Sequence, residues 1–221
     1  MSELVWDAVG ERRYETGTKK GVLYPMSGNA YPLGVAWNGL TAVTVNPEGA
    51  EATDLYADDI KYLTMRSAEN VKATIEAYTY PDEWAACDGS ANAALGVKIG
   101  QQPRTVFGFC WTSVVGNDTQ MDNYGEIIHI LWGCTAAPSE KAYKTINDSP
   151  EAITFSWEVS SIPVPVGGAY KPTAYMEIDT TKADATKLAA LKKTLYGGSG
   201  AGEDPHLPMP ADIISSMTVQ Q

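Results

Sequence analysis

The chain has 221 residues, of which 44% are hydrophobic and 19% charged, a balance that excludes a disordered chain and suits one large β domain needing no disulfide or metal to hold its core. It carries 27 acidic and 16 basic residues, for a net charge of -11, and the excess is even: residues 1–100 hold 14 acids and 8 bases, residues 101–221 hold 13 and 8. That excludes a protein whose main task is gripping nucleic acid, which needs clustered cations against phosphate.

The N-terminal sequence MSELVWDAVGERRYE has early acids and no apolar run, so no signal peptide is expected, and no stretch of apolar residues anywhere is long enough to predict a membrane-spanning helix. Arg12, Arg13, Lys19 and Lys20 form the densest basic stretch, but Glu11 and Glu15 sit among them and the segment reads as a solvated one. Val35-Ala36-Trp37 and Leu40-Thr41-Ala42-Val43-Thr44-Val45 flank Asn38-Gly39, the strongest short signal of a β-hairpin, and Asn46-Pro47 ends the second strand. Residues 47–66 then read as a long loop that keeps Leu55, Tyr56, Ile60, Tyr62 and Leu63 among Glu48, Glu51, Asp54, Asp58 and Asp59. Ordered loops of this length are often functional, and apolar residues on a loop need a neighbour to bury them.

Val71, Ala73, Ile75 and Ala77 alternate with polar residues as in a half-buried strand, residues 81–103 read as irregular, and 104–115 is rich in β-formers. Glu126–Cys134 is apolar on both faces, which predicts a central strand. Ile153, Phe155, Trp157 and Val159 alternate with Thr154, Ser156, Glu158 and Ser160, giving one packing face and one small polar face; Ala174, Met176 and Ile178 alternate likewise. Thr181-Lys182-Ala183-Asp184 resembles a capping box opening a helix over 181–196, with Leu188, Leu191 and Leu195 as a narrow stripe and Gly197 as its stop. Residues 197–202 read as a glycine tether, and Ile213–Val219 as a last strand or an arm. The predicted fold is mainly β: two packed antiparallel sheets with one flanking helix, a long loop and terminal arms, in a single domain over 1–221.

Chemistry is sparse. His129 lies in an apolar strand and reads as a core histidine before a catalytic one; His206 lies in a proline-rich, exposed stretch. Cys87, Cys110 and Cys134 form no CxxC pair and read as reduced thiols, favouring a reducing site of synthesis. A zinc site of His/Cys type is not expected, and no nucleophile elbow or phosphate loop is present. Asp54, Asp58 and Asp59 lack calcium-loop spacing and read as a solvated acidic loop. The glycosylation-type triplets at Asn117 and Asn147 read as chance. Trp111, Trp132 and Trp157 fall in strands and read as core residues before sugar-stacking ones.

The order of several longer pieces carries more. Glu15-Thr16-Gly17-Thr18-Lys19-Lys20-Gly21-Val22-Leu23-Tyr24-Pro25 is followed by Gly34-Val35-Ala36-Trp37-Asn38-Gly39-Leu40, Asn46-Pro47-Glu48-Gly49, Ala73-Thr74-Ile75-Glu76-Ala77-Tyr78-Thr79-Tyr80-Pro81 and Cys87-Asp88-Gly89. Phe155-Ser156-Trp157-Glu158 and the helix ending Leu195-Tyr196-Gly197 complete the series. In this order the sequence resembles the major tail protein, or tail tube protein, of phages with long non-contractile tails, over residues 10–197.

The resemblance implies a sandwich subunit that closes into hexameric rings, whose sheets make a continuous inner β-barrel and whose rings stack into a tube. It implies a structural virion protein, with no catalytic, cofactor or metal site, made in the bacterial host cytoplasm. Its partners would be itself, the tape-measure protein that fills the lumen, and the terminator and tip proteins. Phage DNA would pass without specific binding at ejection, and no membrane would be involved. In that frame the 47–66 loop makes inter-ring contacts through Asp54, Leu55, Tyr56, Asp58, Ile60 and Tyr62, and the polar face of Thr154, Ser156, Glu158 and Ser160 lines the lumen. The segment 198–221 has no counterpart in the resemblance. Three other readings stay open: a carbohydrate-binding β-sandwich module, the related tube protein of a bacterial secretion machine, and a β-sandwich hydrolase with two carboxylates facing one cleft.

Overall fold

A strand that is apolar on both faces must be covered twice, and the longest strand of the chain is of this kind. In the computed structural model, which describes residues 4–49, 51–146, 148, 151–200 and 202–218, that strand is β10 (Met121–Ala136). The others are β1 (Arg13–Pro25), β2 (Val35–Trp37), β3 (Leu40–Gly49), β4 (Ala52–Ala57), β5 (Ile60–Arg66), β6 (Glu69–Ala77), β7 (Ala91–Ala94), β8 (Val97–Ile99), β9 (Phe107–Asn117), β11 (Phe155–Ser161) and β12 (Tyr175–Asp179). The helices are α1 (Trp84–Asp88), α2 (Ala185–Tyr196) and α3 (Pro210–Met217).

The fold is mainly β, two packed antiparallel layers with flanking helices, as the alternation predicts. Both layers belong to one sheet, ordered β2-β1-β9-β10-β11-β6-β3, with β12 also paired to β10. The change of layer happens inside β10. One edge pairs with β9 as far as Cys134; the other pairs with β12 up to Leu131 and with β11 from Cys134. Between them Gly133 takes φ 61, and a Cβ there would stand 2.4 Å from the Ile162 carbonyl oxygen, so only glycine permits this close crossing.

The sheet curls until its ends meet. Its two end strands, β2 and β3, are joined by the Asn38-Gly39 turn, with Gly39 at φ 73. The expected hairpin is thus a turn without its ladder: β2 pairs with β1 and β3 with β6. The seam is tied from the side, by the Trp37 indole N–H donating to the Thr79 carbonyl at 2.9 Å and the Tyr78 N–H donating to the Gly39 carbonyl at 2.8 Å. Inside, Trp37 meets Trp84, Phe109 and Trp157 at ring-centroid distances of 4.7, 5.5 and 5.5 Å. Trp84 comes from α1, in the stretch expected to be irregular. A five-residue helix is too short to show periodicity, and here it supplies a buried wall of the core.

The outer face of β1, β9 and β10 forms a second core. The predicted leucine stripe is there: Leu188, Leu191 and Leu195 of α2 cover Val22, Cys110, Ile128 and Ile130. The helix begins later than the capping-box reading placed it. Asp184 is the N-cap, accepting from the N–H groups of Thr186 and Lys187 at 3.0 Å each, while Thr181 donates to Asp179 in an Asx turn. The C-terminal segment is neither strand nor free arm up to Thr218. Pro210 opens α3, where its missing N–H costs nothing, and Leu207 and Ile213 are buried against α2 and Trp132. Val219 lies outside the described residues. The glycine run after α2 is closed rather than loose: the Glu203 carboxylate accepts from the Gly200 N–H at 3.0 Å and pairs with Lys193.

One carboxylate clamps helix to sheet. Glu126 on β10 meets Lys19, Lys20 and Lys192 at 2.9, 2.9 and 3.2 Å. Burial alone raises its pKa, but the three ammonium groups outweigh it and hold the carboxyl down at about 2. Two substitutions separate the contributions. Leu191→Ala, at a site 4% exposed, is expected to cost about 2–5 kcal/mol by cavity formation. Glu126→Gln is expected to cost about 1–3 kcal/mol, by leaving three lysines without their counter-charge. Urea unfolding measures both, and an unchanged midpoint for Leu191→Ala contradicts this packing.

Candidate assembly surfaces

The 47–66 segment is not an irregular loop. After Gly49 the chain leaves the main sheet, runs out as β4, turns at Asp58-Asp59 and returns as β5 to enter β6 at Glu69. Both aspartates have positive φ, 52 and 62, the requirement of a tight hairpin turn. Asp-Asp is a weaker sequence signal than Asn-Gly, because a Cβ disfavours that conformation, so the turn is hard to read from residues alone.

Cross-strand register sorts the hairpin into two faces. Leu55 opposes Leu63, Thr53 opposes Met65 and Ala57 opposes Ile60, so Leu55, Ile60, Leu63 and Met65 share one side. The register shift after Leu55 leaves Tyr62 without a cross-strand partner, and Asp54, Tyr56, Lys61 and Thr64 share the other. Asp54 is held on that face by Lys61 at 2.8 Å and by the Thr64 hydroxyl at 2.7 Å, and the ammonium of Lys61 holds its carboxyl below the ordinary value.

Every residue of both strands is exposed, Leu55 by 42%, Met65 by 57% and Ile60 by 65%. A two-stranded ribbon is marginal by itself, and an apolar row on one needs a partner. The six residues singled out from the sequence are thus all on the hairpin, but they do not form one patch. Leu55 and Ile60 belong to the apolar face, Asp54 and Tyr56 to the opposite one, Tyr62 to the register shift between them, and Asp58 to the tip. Leu63 and Met65 join the apolar face by register, which sequence spacing alone does not reveal.

The predicted polar face is equally well defined. Trp157 and Val159 of β11 point into the core, and Ser156, Glu158 and Ser160 point out; Thr154 lies just before the strand and is exposed. The register extends this face across β6 and β3: Glu158 beside Thr74 and Thr44, Ser156 beside Glu76, and Ser160 beside Lys72 and Asn46. Its one cation, Lys72, is paired with Glu48 at 2.8 Å. The result is a three-strand wall of small and acidic side chains.

The histidines, cysteines and tryptophans singled out from the sequence fall as follows. His129 is buried at the mouth of the inner core, stacked on Trp111 at 4.9 Å and 11°. Its Nε2 lies 2.8 Å from the Ser113 hydroxyl, which also bonds Glu15, and its Nδ1 lies 2.8 Å from the Tyr175 hydroxyl, which donates to Glu177 at 2.6 Å. Both ring nitrogens are occupied and Ser113 is buried, so the serine–histidine contact faces no cleft. His206 is exposed. Cys87, Cys110 and Cys134 are buried free thiols, and burial pushes the thiols of Cys87 and Cys110 up to about 12. Asn117 is buried and anchors a turn, its amide donating to the Gly10 carbonyl and its carbonyl accepting from the Gln120 N–H, so it is no glycan acceptor; Asn147 lies outside the described residues. Five tryptophans, 37, 84, 111, 132 and 157, are core residues, and Trp6 is exposed. Among the described residues no helix is long and apolar enough to cross a membrane, and no three His, Cys, Asp or Glu side chains converge as a metal site.

No protein-family model matches the chain, and no curated protein sequence matches it.

The His129 network sets a pH dependence. Burial lowers the imidazole pKa against the pull of Glu15 and Glu177. The folded chain therefore binds fewer protons at this site than the unfolded chain. The histidine's contribution is full above the unfolded value of about 6.5 and is lost as pH falls through it toward the lower folded value. Urea unfolding between about pH 7 and about pH 5 is expected to show stability falling with acidity, and falling less in His129→Gln. An equal slope in both proteins contradicts the assignment.

Proposed function

We propose that this chain is a structural subunit that associates with copies of itself into hexameric rings, stacked into the tail tube of a phage with a long non-contractile tail. The observation that carries the reading is the β4–β5 hairpin: a ribbon outside the main sheet, with Leu55, Ile60, Leu63 and Met65 on one face and left exposed by the described residues of the subunit. A single subunit gains nothing from such a ribbon, whereas a stacked neighbour buries it. Each large side chain so covered contributes roughly 1.5–3 kcal/mol before ordering costs.

The polar wall of β3, β6 and β11 supports the same reading. A continuous barrel built from six such walls would present hydroxyls and carboxylates to its lumen, among them Ser156, Glu158 and Ser160. Duplex DNA carries about one negative charge per 1.7 Å, and an acidic lining does not hold it. The ordered pieces of sequence that resemble tail tube proteins support the same reading. In this reading the partners are further copies of the chain, the tape-measure protein within the lumen, and the terminator and tip proteins at the ends. The chain acts in the virion, and no reaction is catalysed.

Light scattering coupled to gel filtration, with negative-stain microscopy, tests the reading. The expected outcome is rings or tubes at high concentration. Replacing Leu55, Ile60, Leu63 and Met65 together by Ser is expected to leave a folded subunit, by circular dichroism, that does not form tubes. A monomer of 23.7 kDa at every concentration, or tubes of normal length from the four-serine variant, overturns it.

A further inference from the structure

Glu126 gathers more lysines than a clamp requires. Joining α2 to the sheet takes Lys192 alone, yet Lys19 and Lys20 of β1 both reach the same carboxylate oxygen at 2.9 Å. Successive residues of a regular strand point to opposite faces, so neighbouring lysines do not ordinarily meet one partner. β1 is irregular here. From Thr16 to Lys19, and again from Lys19 to Val22, it advances three residues while β9 advances two, and Lys20 sits at φ 55. Left-handed backbone disfavours a lysine, and bulges of this kind re-aim side chains.

The cluster borders a cleft. Lys20 and Lys192 line a space of about 540 Å³ between β1, β2, α2 and Pro205, within the size range of small-molecule sites. Its walls are otherwise largely apolar: Val22 and Leu195 are buried, Pro205 is half-buried, and Ala36 of β2 is exposed at the mouth. Tyr196 also lines it, and among the described residues its hydroxyl is partnered by the Cys110 thiol at 3.8 Å, a weak bond.

Among the described residues no acid lines the cleft. Three ammonium groups on one carboxylate leave an excess of two positive charges, in a chain whose net charge is -11. The other acids on these elements are engaged elsewhere: Glu15 with Ser113 and His129, Asp179 with Lys182, and Glu203 with Lys193. Asp204, next to Pro205, is exposed, and counting it still leaves one positive charge in excess. Each ammonium has three N–H donors and gives Glu126 one or two, so donors remain for a second anion.

We propose that this cleft binds a small anionic amphiphile. Its acidic head, a carboxylate or a phosphate ester, lies on the ammonium groups of Lys20 and Lys192, and its apolar body lies against Val22, Leu195 and Pro205. Glu126 holds the two lysines in place beforehand, so little side-chain freedom is lost when the head group arrives. The apolar walls select against a bare inorganic anion, and the lysines against a neutral chain. The inference goes beyond the tube reading and does not rest on it.

Isothermal titration calorimetry with decanoate, below the concentration at which it forms micelles, tests the site. Saturable one-to-one binding is expected, with decanol and inorganic phosphate each weaker by about tenfold or more. Two variants localise it, with folding checked by circular dichroism. Lys20→Gly removes one ammonium and suits the left-handed backbone. Ala36→Trp fills the mouth of the cleft and leaves all three lysines. Each is expected to weaken decanoate binding by about tenfold or more. Unchanged decanoate affinity in either folded variant overturns the site, since adsorption on the exposed hairpin rows would give that result. Equal affinity for decanol or for inorganic phosphate overturns it too, as does the absence of saturable binding. Flotation with phosphatidylglycerol vesicles separates the sources of the head group. Flotation of the unaltered chain but not of Ala36→Trp supports the site with a membrane lipid as its ligand; decanoate binding without flotation supports it with a free amphiphile.

Discussion

Strand β10 presents Ile128, Ile130 and Trp132 to one side and His129, Leu131, Cys134 and Ala136 to the other, and the rest of the fold follows from the need to bury both. One side is covered by the sheet itself. At Gly133 the strand crosses from the first layer to the second, and the sheet closes back over the inner row until β2 and β3 meet at the Asn38-Gly39 turn. The other side cannot be reached by the same sheet, so α2 and the segment from Leu207 to Ile213 cover it. A β-branched or bulky residue at position 133 would need both a left-handed backbone and the space taken by the Ile162 carbonyl. The double burial therefore depends on one glycine.

The inner core shows why the chain is rich in tryptophan. Trp37, Trp84 and Trp157 come from the seam, from α1 and from the far layer; Trp157 meets the other two edge to face, and Trp37 and Trp84 meet tilted at 57°. Large rings bridge the gap between strongly curved layers where smaller side chains would leave voids, and tilted contacts between them add roughly 0.5–1.5 kcal/mol each. Five of the six tryptophans that could suggest a sugar platform are thereby accounted for by packing, while Trp6, Tyr56, Tyr62, Tyr143 and Tyr170 are exposed. Among polar groups that enter the core, His129 lies between two hydroxyls and the Trp132 indole N–H donates to the Pro208 carbonyl at 3.0 Å, whereas the buried Trp84 indole N–H has no partner among the described residues.

What the two cores do not use lies on ribbons and on one flat wall. The β4–β5 and β7–β8 hairpins carry apolar side chains that stay exposed among the described residues, and the outer face of β3, β6 and β11 carries almost none. This division separates folding from association: the apolar hairpin rows can be altered without touching either core.

Alternation and two-faced apolarity were legible along the chain. They define the half-buried β6, the central β10, the one-sided β11 and the leucine stripe of α2, because burial in a strand or helix is periodic and the period is written in the residues. The polar row of Ser156, Glu158 and Ser160 was legible for the same reason. The turn at Asn38-Gly39 was legible too, but its strands part to opposite ends of the sheet, and pairing is a choice among partners that no local pattern records. Tertiary structure alone decided that residues 47–66 are a ribbon, that Leu63 and Met65 share a face with Leu55 and Ile60, and that Glu126 gathers lysines from positions 19, 20 and 192. It also decided that residues 205–217 fold back onto α2 rather than reaching outward. These are contacts between residues far apart in sequence. They depend on cross-strand register and on how the sheet curls, and both are settled by which surfaces can be buried together rather than by what any one segment prefers.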